Sequence, residues 1–147
     1  MGKLKLKHKQ LLSALDRFYD AVVDFDQFER YINPEYVDKE RVYRTYGDSL
    51  IRRFEFNIDL FWKYLKRYLE EELKQTVKIS GPKPIVREAC KAKLITEDDA
   101  EKIIQIIEER NNSSHIYKEE IADQISNKIS EYYETIKKYA DKLIPHN

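Results

Sequence analysis

Residues 50–68 read LIRRFEFNIDLFWKYLKRY, and this stretch decides the fold. Leu50, Phe54, Ile58, Phe61, Leu65 and Tyr68 step by four, four, three, four and three, the return period of one face of an α-helix. No proline interrupts Arg41 to Leu73, so one long helix is expected there. Gly47 is its weak point, costing about 1 kcal/mol relative to Ala inside a helix. Phe56, Leu60 and Trp62 widen the apolar surface, as suits a helix buried on more than one side.

The same spacing recurs on both sides. From Gln10 onward, Leu11, Leu15, Phe18, Val22 and Phe25 mark a first helix that should end near Asn33-Pro34, because the residue before proline avoids the α region. Pro34 to Arg41 reads as a polar connection. Ser80-Gly81-Pro82-Lys83-Pro84 is a dense cluster of breakers and marks a loop, with a short helix expected over about Ile85 to Lys93. Thr96 is the natural N-cap of a fourth helix, and Asp98 and Asp99 in its first turn complement the macrodipole. Ala100, Ile103, Ile104 and Ile107 form its inner face. Asn111-Asn112-Ser113-Ser114 should end it, since these side chains compete for backbone hydrogen bonds. Ile121, Ile125, Ile129, Tyr132, Ile136 and Tyr139 define a last helix that stops before Pro145. With no strand pattern anywhere, the expected fold is all-α: an antiparallel four-helix up-and-down bundle with one additional short helix, forming a single domain over residues 1–147.

Composition narrows the function. The 147 residues suffice to bury a core, and 41% hydrophobic residues supply one, although 37% are charged against a usual share of about 25%. Charge balances, with 27 basic and 27 acidic residues, so any grip on nucleic acid must be local or built at an assembly interface. A lone cysteine, Cys90, excludes an intrachain disulfide and offers no metal-ligand pair; among Ala89, Ala92 and Leu94 it reads as a small buried hydrophobe. No apolar run reaches about 18 residues, so no membrane span is expected, and no h-region follows the Lys-Leu alternation of the first nine residues. Cytoplasm is the expected location. Glu55 and Asp59 lie at helical spacing, but no matching His or second acidic pair accompanies them; no metal and no cofactor is expected.

Three histidines remain as candidates for chemistry. His8 and His146 lie near the two ends, where solvent exposure is the plain expectation. His115 follows a helix terminus, with Arg110 before it and Tyr117 after it. A neutral imidazole exchanges protons near physiological pH, and a guanidinium is a permanent fork of donors suited to phosphate. In one continuous helix, positions five apart point about 140° from each other. Arg110 and His115 can therefore share a site only if the helix breaks between them, and Asn111 to Ser114 offers that break. The same residue types are also ordinary at helix ends, and an Arg there is favoured by the dipole alone.

Arg110-Asn111-Asn112-Ser113-Ser114-His115-Ile116-Tyr117 resembles the signature of HEPN domains: Arg, a polar residue, a short gap, His, one residue, Tyr. More narrowly, the chain is similar to the nucleotidyltransferase substrate-binding proteins. Arg53-Phe54-Glu55-Phe56 with Leu60, Trp62 and Lys63, then Val86-Arg87-Glu88-Ala89 leading to Leu94-Ile95, then Glu119-Glu120-Ile121-Ala122, carry that likeness over roughly Leu11 to Tyr133. Two features depart from the family pattern: a longer loop at Ser80 to Pro84, and Asn112 where an apolar residue is more usual.

The resemblance implies a partner, a minimal nucleotidyltransferase encoded nearby, in a toxin–antitoxin-like pair. It implies a metal-independent RNA endonuclease acting as a homodimer, with RNA or nucleotide as ligand. Carried onto this chain, His115 would move protons, Arg110 would bind the phosphate, Asn111 would orient the pair, Ser114 would touch the substrate and Tyr117 would accept AMP from the transferase. The alternative is a non-catalytic subunit that binds nucleotide or presents substrate with the same residues. A helical scaffold is the blandest reading; Trp62 and Tyr64 on the second helix would serve any of the three as interface anchors, although Trp62 suits the core equally. No Gly-rich phosphate loop exists, so the chain is not its own transferase.

Overall fold

The computed structural model describes residues 2–31, 38–113 and 119–146, with side chains described except at 26, 28–31, 39, 40, 42–44, 109–113 and 119–127. It contains α1 (Lys3–Tyr31), α2 (Lys39–Glu71), α3 (Pro82–Lys91), α4 (Glu97–Ser113) and α5 (Glu119–Lys142), with no strand among the described residues. Residues 32–37, within the expected polar connection, lie outside the described residues.

Contacts between aromatic and polar side chains fix the helix directions. His8 meets Tyr64 and Ala140, whereas Phe18, further along α1, meets Phe54 and Tyr132. Helix α1 therefore runs opposite to both α2 and α5. Asp99 meets Tyr139 while Lys102 meets Glu131, so α4 is also antiparallel to α5. The result is the expected up-and-down bundle, with α3 packed on α2 and α4.

The inner faces follow the sequence period. Leu11, Leu15, Phe18 and Phe25 are buried on α1; Leu50, Phe54, Ile58, Phe61, Leu65 and Tyr68 on α2; Ile129, Tyr132, Ile136 and Tyr139 on α5. At the centre, Phe54 meets Tyr132 edge-on at 4.9 Å between ring centroids, and Phe18 meets Tyr133 at 5.7 Å. Such edge-to-face pairs add about 0.5–1.5 kcal/mol beyond the area they bury.

Five expectations are corrected. Helix α1 begins at Lys3 rather than Gln10, because the Lys-Leu alternation conceals a helical seam: Leu4 is 5% exposed and Leu6, two residues on, is 50% exposed. His8 is not free in solvent; its Nε2 lies 2.7 Å from the carbonyl oxygen of Ala140. Tyr64 is no surface anchor but 1% exposed, since it shares the inward face with Phe61 and Tyr68, and its hydroxyl donates to the Leu143 carbonyl. Phe56 faces outward at 52% exposure, while Trp62 and Cys90 are half-buried against the core.

Helix α3 starts inside the breaker cluster, at Pro82. Pro82 and Pro84 occupy first-turn positions whose N–H groups have no intrahelical partner, so their missing donors cost little. Gly81 precedes them at φ 107°, a backbone that side-chain-bearing residues resist, and its carbonyl accepts from Ile85 N–H at 3.2 Å. At the other end Lys93 takes the left-handed conformation at φ 64°. Leu94 N–H donates to Ala89 and Lys93 N–H to Cys90, the paired bonds of a Schellman cap.

Candidate functional site

Helix α4 carries the first residues of the expected site, and its N-terminus is firmly anchored. Thr96 Oγ1 accepts from Asp99 N–H at 3.2 Å, so Thr96 caps the helix as its sequence suggests. Thr96 N–H donates at 3.2 Å to the Tyr139 hydroxyl, which in turn donates to the Asp99 carboxylate. Lys138 Nζ stands 3.0 Å from the same carboxylate. The Tyr139 hydrogen bond, more than the nearby lysine, holds the Asp99 carboxyl below its ordinary range. This relay binds the start of α4 to the end of α5, and Ala100, Ile103 and Ile107 bury the inner face above it.

From that anchor α4 runs through Asn111 and Asn112 to Ser113, inside the segment expected to close it. A final turn tolerates residues of low helix propensity because few intrahelical bonds depend on them there. Arg110 and Asn111 thus stand in the last turn of α4. Ser114, His115 and Tyr117 lie outside the described residues. The helix places Arg110 and Asn111 side by side in its final turn.

A second feature escaped the sequence reading. Thr45, Asp48, Ser49, Arg52, Arg53 and Phe56 form one stripe along α2, and Arg17 faces them from α1 across an open groove of about 710 Å³. The groove continues into a trough of about 570 Å³ that shares Arg17 and Phe56 and is otherwise lined by residues such as Leu6, Lys9 and Leu60. The signal was present as a polar stripe at i, i+3, i+4, i+7 and i+8, but polar stripes on bundle helices usually face water. Below the groove Asn57 is fully buried, donating its amide to Ala14 O at 3.2 Å and Arg53 O at 2.7 Å.

Among the described residues no three His, Cys, Asp or Glu side chains gather as metal ligands, and no helix is long and apolar enough to cross a membrane. Glu55 and Asp59 form no such group; Asp59 instead pairs with Lys63 at 2.8 Å.

A family model described as nucleotidyltransferase substrate binding protein like matches residues 13–144. The chain belongs to that family. As a member of this HEPN-like family it carries all three of the stretches on which the sequence likeness rested, each inside the matched span. A crystal structure of a protein from Thermus thermophilus is similar to this family member at a TM-score of 0.62 and 22% identity, over 86% of this chain and 98% of that one. At that identity the likeness is one of fold. Among curated proteins, none matches the chain.

Proposed function

We propose that this chain is the HEPN-type partner of a minimal nucleotidyltransferase in a toxin–antitoxin-like pair, and that it is a metal-independent RNA endonuclease working in the cytoplasm as a homodimer. The observation that carries the reading is the family match over residues 13–144, which encloses Arg110, Asn111, His115 and Tyr117 in the order and spacing of the HEPN signature. In the reaction, His115 takes the proton from an RNA 2′-hydroxyl as its oxygen attacks the adjacent phosphorus. The P–O5′ bond breaks, the leaving oxygen takes up a proton, and a 2′,3′-cyclic phosphate remains. Arg110 binds the phosphate and offsets the charge that develops on it. Asn111 orients the pair and Ser114 contacts the substrate. AMP attached to Tyr117 would set negative charge and bulk beside Arg110 and His115, silencing the site.

A second reading has its own support. The family description speaks of substrate binding, and zero net charge suits a subunit that holds a nucleotide for the transferase without cleaving it. One experiment separates the two: wild-type protein and His115→Ala are incubated with RNA in EDTA. Cleavage by wild type alone, leaving cyclic-phosphate ends, supports the endonuclease, with a loss in the variant of about 10²–10⁴-fold. Absence of cleavage by both proteins, with nucleotide binding retained, supports the binding subunit instead.

A further inference from the structure

In a chain with equal numbers of acidic and basic residues, some of the described cations are held by carboxylates and others are not. Lys63, Lys83, Lys102, Lys137 and Lys138 each reach a carboxylate within 3.4 Å. The α1–α2 groove gathers three of the others in one place. Arg17, Arg52 and Arg53 all line it, and none of the three makes an ion pair among the described residues. The groove holds one carboxylate, Asp48, so three positive charges against one negative leave it with a surplus of two. Like charges gathered without a partner repel one another, and an incoming anion would relieve that repulsion. All three are arginines, whose planar forks match phosphate oxygens in pairs.

The groove is not purely electrostatic. Phe56, 52% exposed, lies where the polar groove and the apolar trough join, so its ring is open to a flat partner beside the guanidinium cluster. Thr45 and Ser49 add hydroxyls on the polar side. From Thr45 to Leu60 the two lined regions follow α2 for roughly 22 Å at 1.5 Å per residue, more than one nucleotide would occupy. Phosphate-matching forks with an exposed ring among them are the pattern that sequence-tolerant single-strand binders use. An acidic peptide would use the guanidiniums but leave the ring without a stacking partner.

We propose that the α1–α2 groove binds nucleoside phosphates, with Arg17, Arg52 and Arg53 holding phosphates and Phe56 stacking a base. The groove is lined by residues of α1 and α2 alone, whereas α4 packs on α3 and α5. It is therefore a contact surface built on helices other than α4, and it deepens the nucleotide-handling reading on which it rests.

The test uses the full chain carrying His115→Ala, so that RNA is not consumed, and measures binding of a fluorescent ten-nucleotide oligouridylate and of ATP. Arg17→Ala/Arg52→Ala should weaken binding at least about tenfold, and Phe56→Ala by about fivefold or more. For the oligonucleotide, the slope of log affinity against log salt should become shallower by about 1.4 for two lost phosphate contacts. Loss confined to the oligonucleotide identifies the ligand as a strand; loss for both identifies a nucleotide site that a strand can enter. Arg17 and Arg52 are exposed, so the variant should keep the melting temperature of its parent, which verifies its fold. Unchanged affinities in a folded variant, no binding to either probe by the parent, or equal competition by an oligoglutamate peptide would overturn the proposal. Unchanged affinities alongside RNA cleavage by wild type would sink the groove and spare the endonuclease; groove binding without cleavage would do the reverse.

Discussion

The imidazole of His8 and the carbonyl of Ala140 meet at 2.7 Å across 132 residues of chain. A carbonyl only accepts, so Nε2 carries the proton and donates it. The ring also lies 5.3 Å from that of Tyr64, which ties the first turns of α1 to both α2 and α5. His8→Ala should lower unfolding stability by about 1–2 kcal/mol, through the lost donor and the lost ring contact. The measurement is equilibrium denaturation in urea; an unchanged midpoint would show that the first turns contribute nothing.

Asp99 makes stability depend on acid. Its carboxyl ionises more readily in the folded chain, chiefly because Tyr139 donates to it, so the folded state holds fewer protons than the unfolded state near the usual carboxylate range. The contribution is present above about pH 4 and is lost as pH falls through the lower folded value. Asp99→Asn should cost about 1–3 kcal/mol at neutral pH. The gap between variant and wild type, followed by thermal melts, should shrink toward acid.

The buried tyrosines set the alkaline limit. Burial raises the phenols of Tyr64 and Tyr132, and for Tyr64 the neighbouring Tyr68 and Glu72 add to it. A raised folded value means that the stabilisation is complete below about pH 10 and is lost as the unfolded chain ionises above it. Phenolate absorbance should rise in two stages, the second coinciding with unfolding.

Those two tyrosines should answer differently to loss of the hydroxyl. Tyr64 donates to Leu143, whereas the Tyr132 hydroxyl is buried with no partner among the described residues. Tyr64→Phe should cost about 1 kcal/mol, and Tyr132→Phe should be neutral or stabilising. Paired denaturation curves decide it, and a larger loss at Tyr132 would contradict the account.

Lys93 can be improved. It is exposed and adopts φ 64°, a conformation disfavoured for residues bearing a Cβ. Lys93→Gly should stabilise the chain by about 0.5–1 kcal/mol while leaving the Schellman bonds intact, as read by the shift in melting temperature.

Where one periodicity dominated, the sequence was enough. The stripe from Leu50 to Tyr68 is buried as its spacing required, and Thr96 caps α4. Where two rules competed, it was not. The Leu-Lys alternation of the first turns masks the burial of Leu4, and proline reads as a breaker even where Pro82 opens a helix. His8 and Tyr64 were misplaced because their partners, Ala140 and Leu143, are remote in the chain. Of the candidate site, the sequence located Arg110 and Asn111 near a helix end, and α4 closes within the Asn111 to Ser114 segment that the turn-favouring side chains marked. The groove went unnoticed because it needs Arg17 opposite Arg52 and Arg53, a pairing that only the packing of α1 on α2 creates.

Asn57 has an effect beyond its own two hydrogen bonds. Sliding α1 by part of a turn along α2 would take the Ala14 carbonyl away from a buried amide, so this bond fixes how the two helices align. Arg17 lies one turn from Ala14, and Arg53 supplies the other carbonyl. The key that aligns the bundle also gauges the gap between the opposed guanidiniums. A substitution at Asn57 would therefore be felt at the mouth of the groove, in altered spacing of its two walls, before it was felt as loss of the fold.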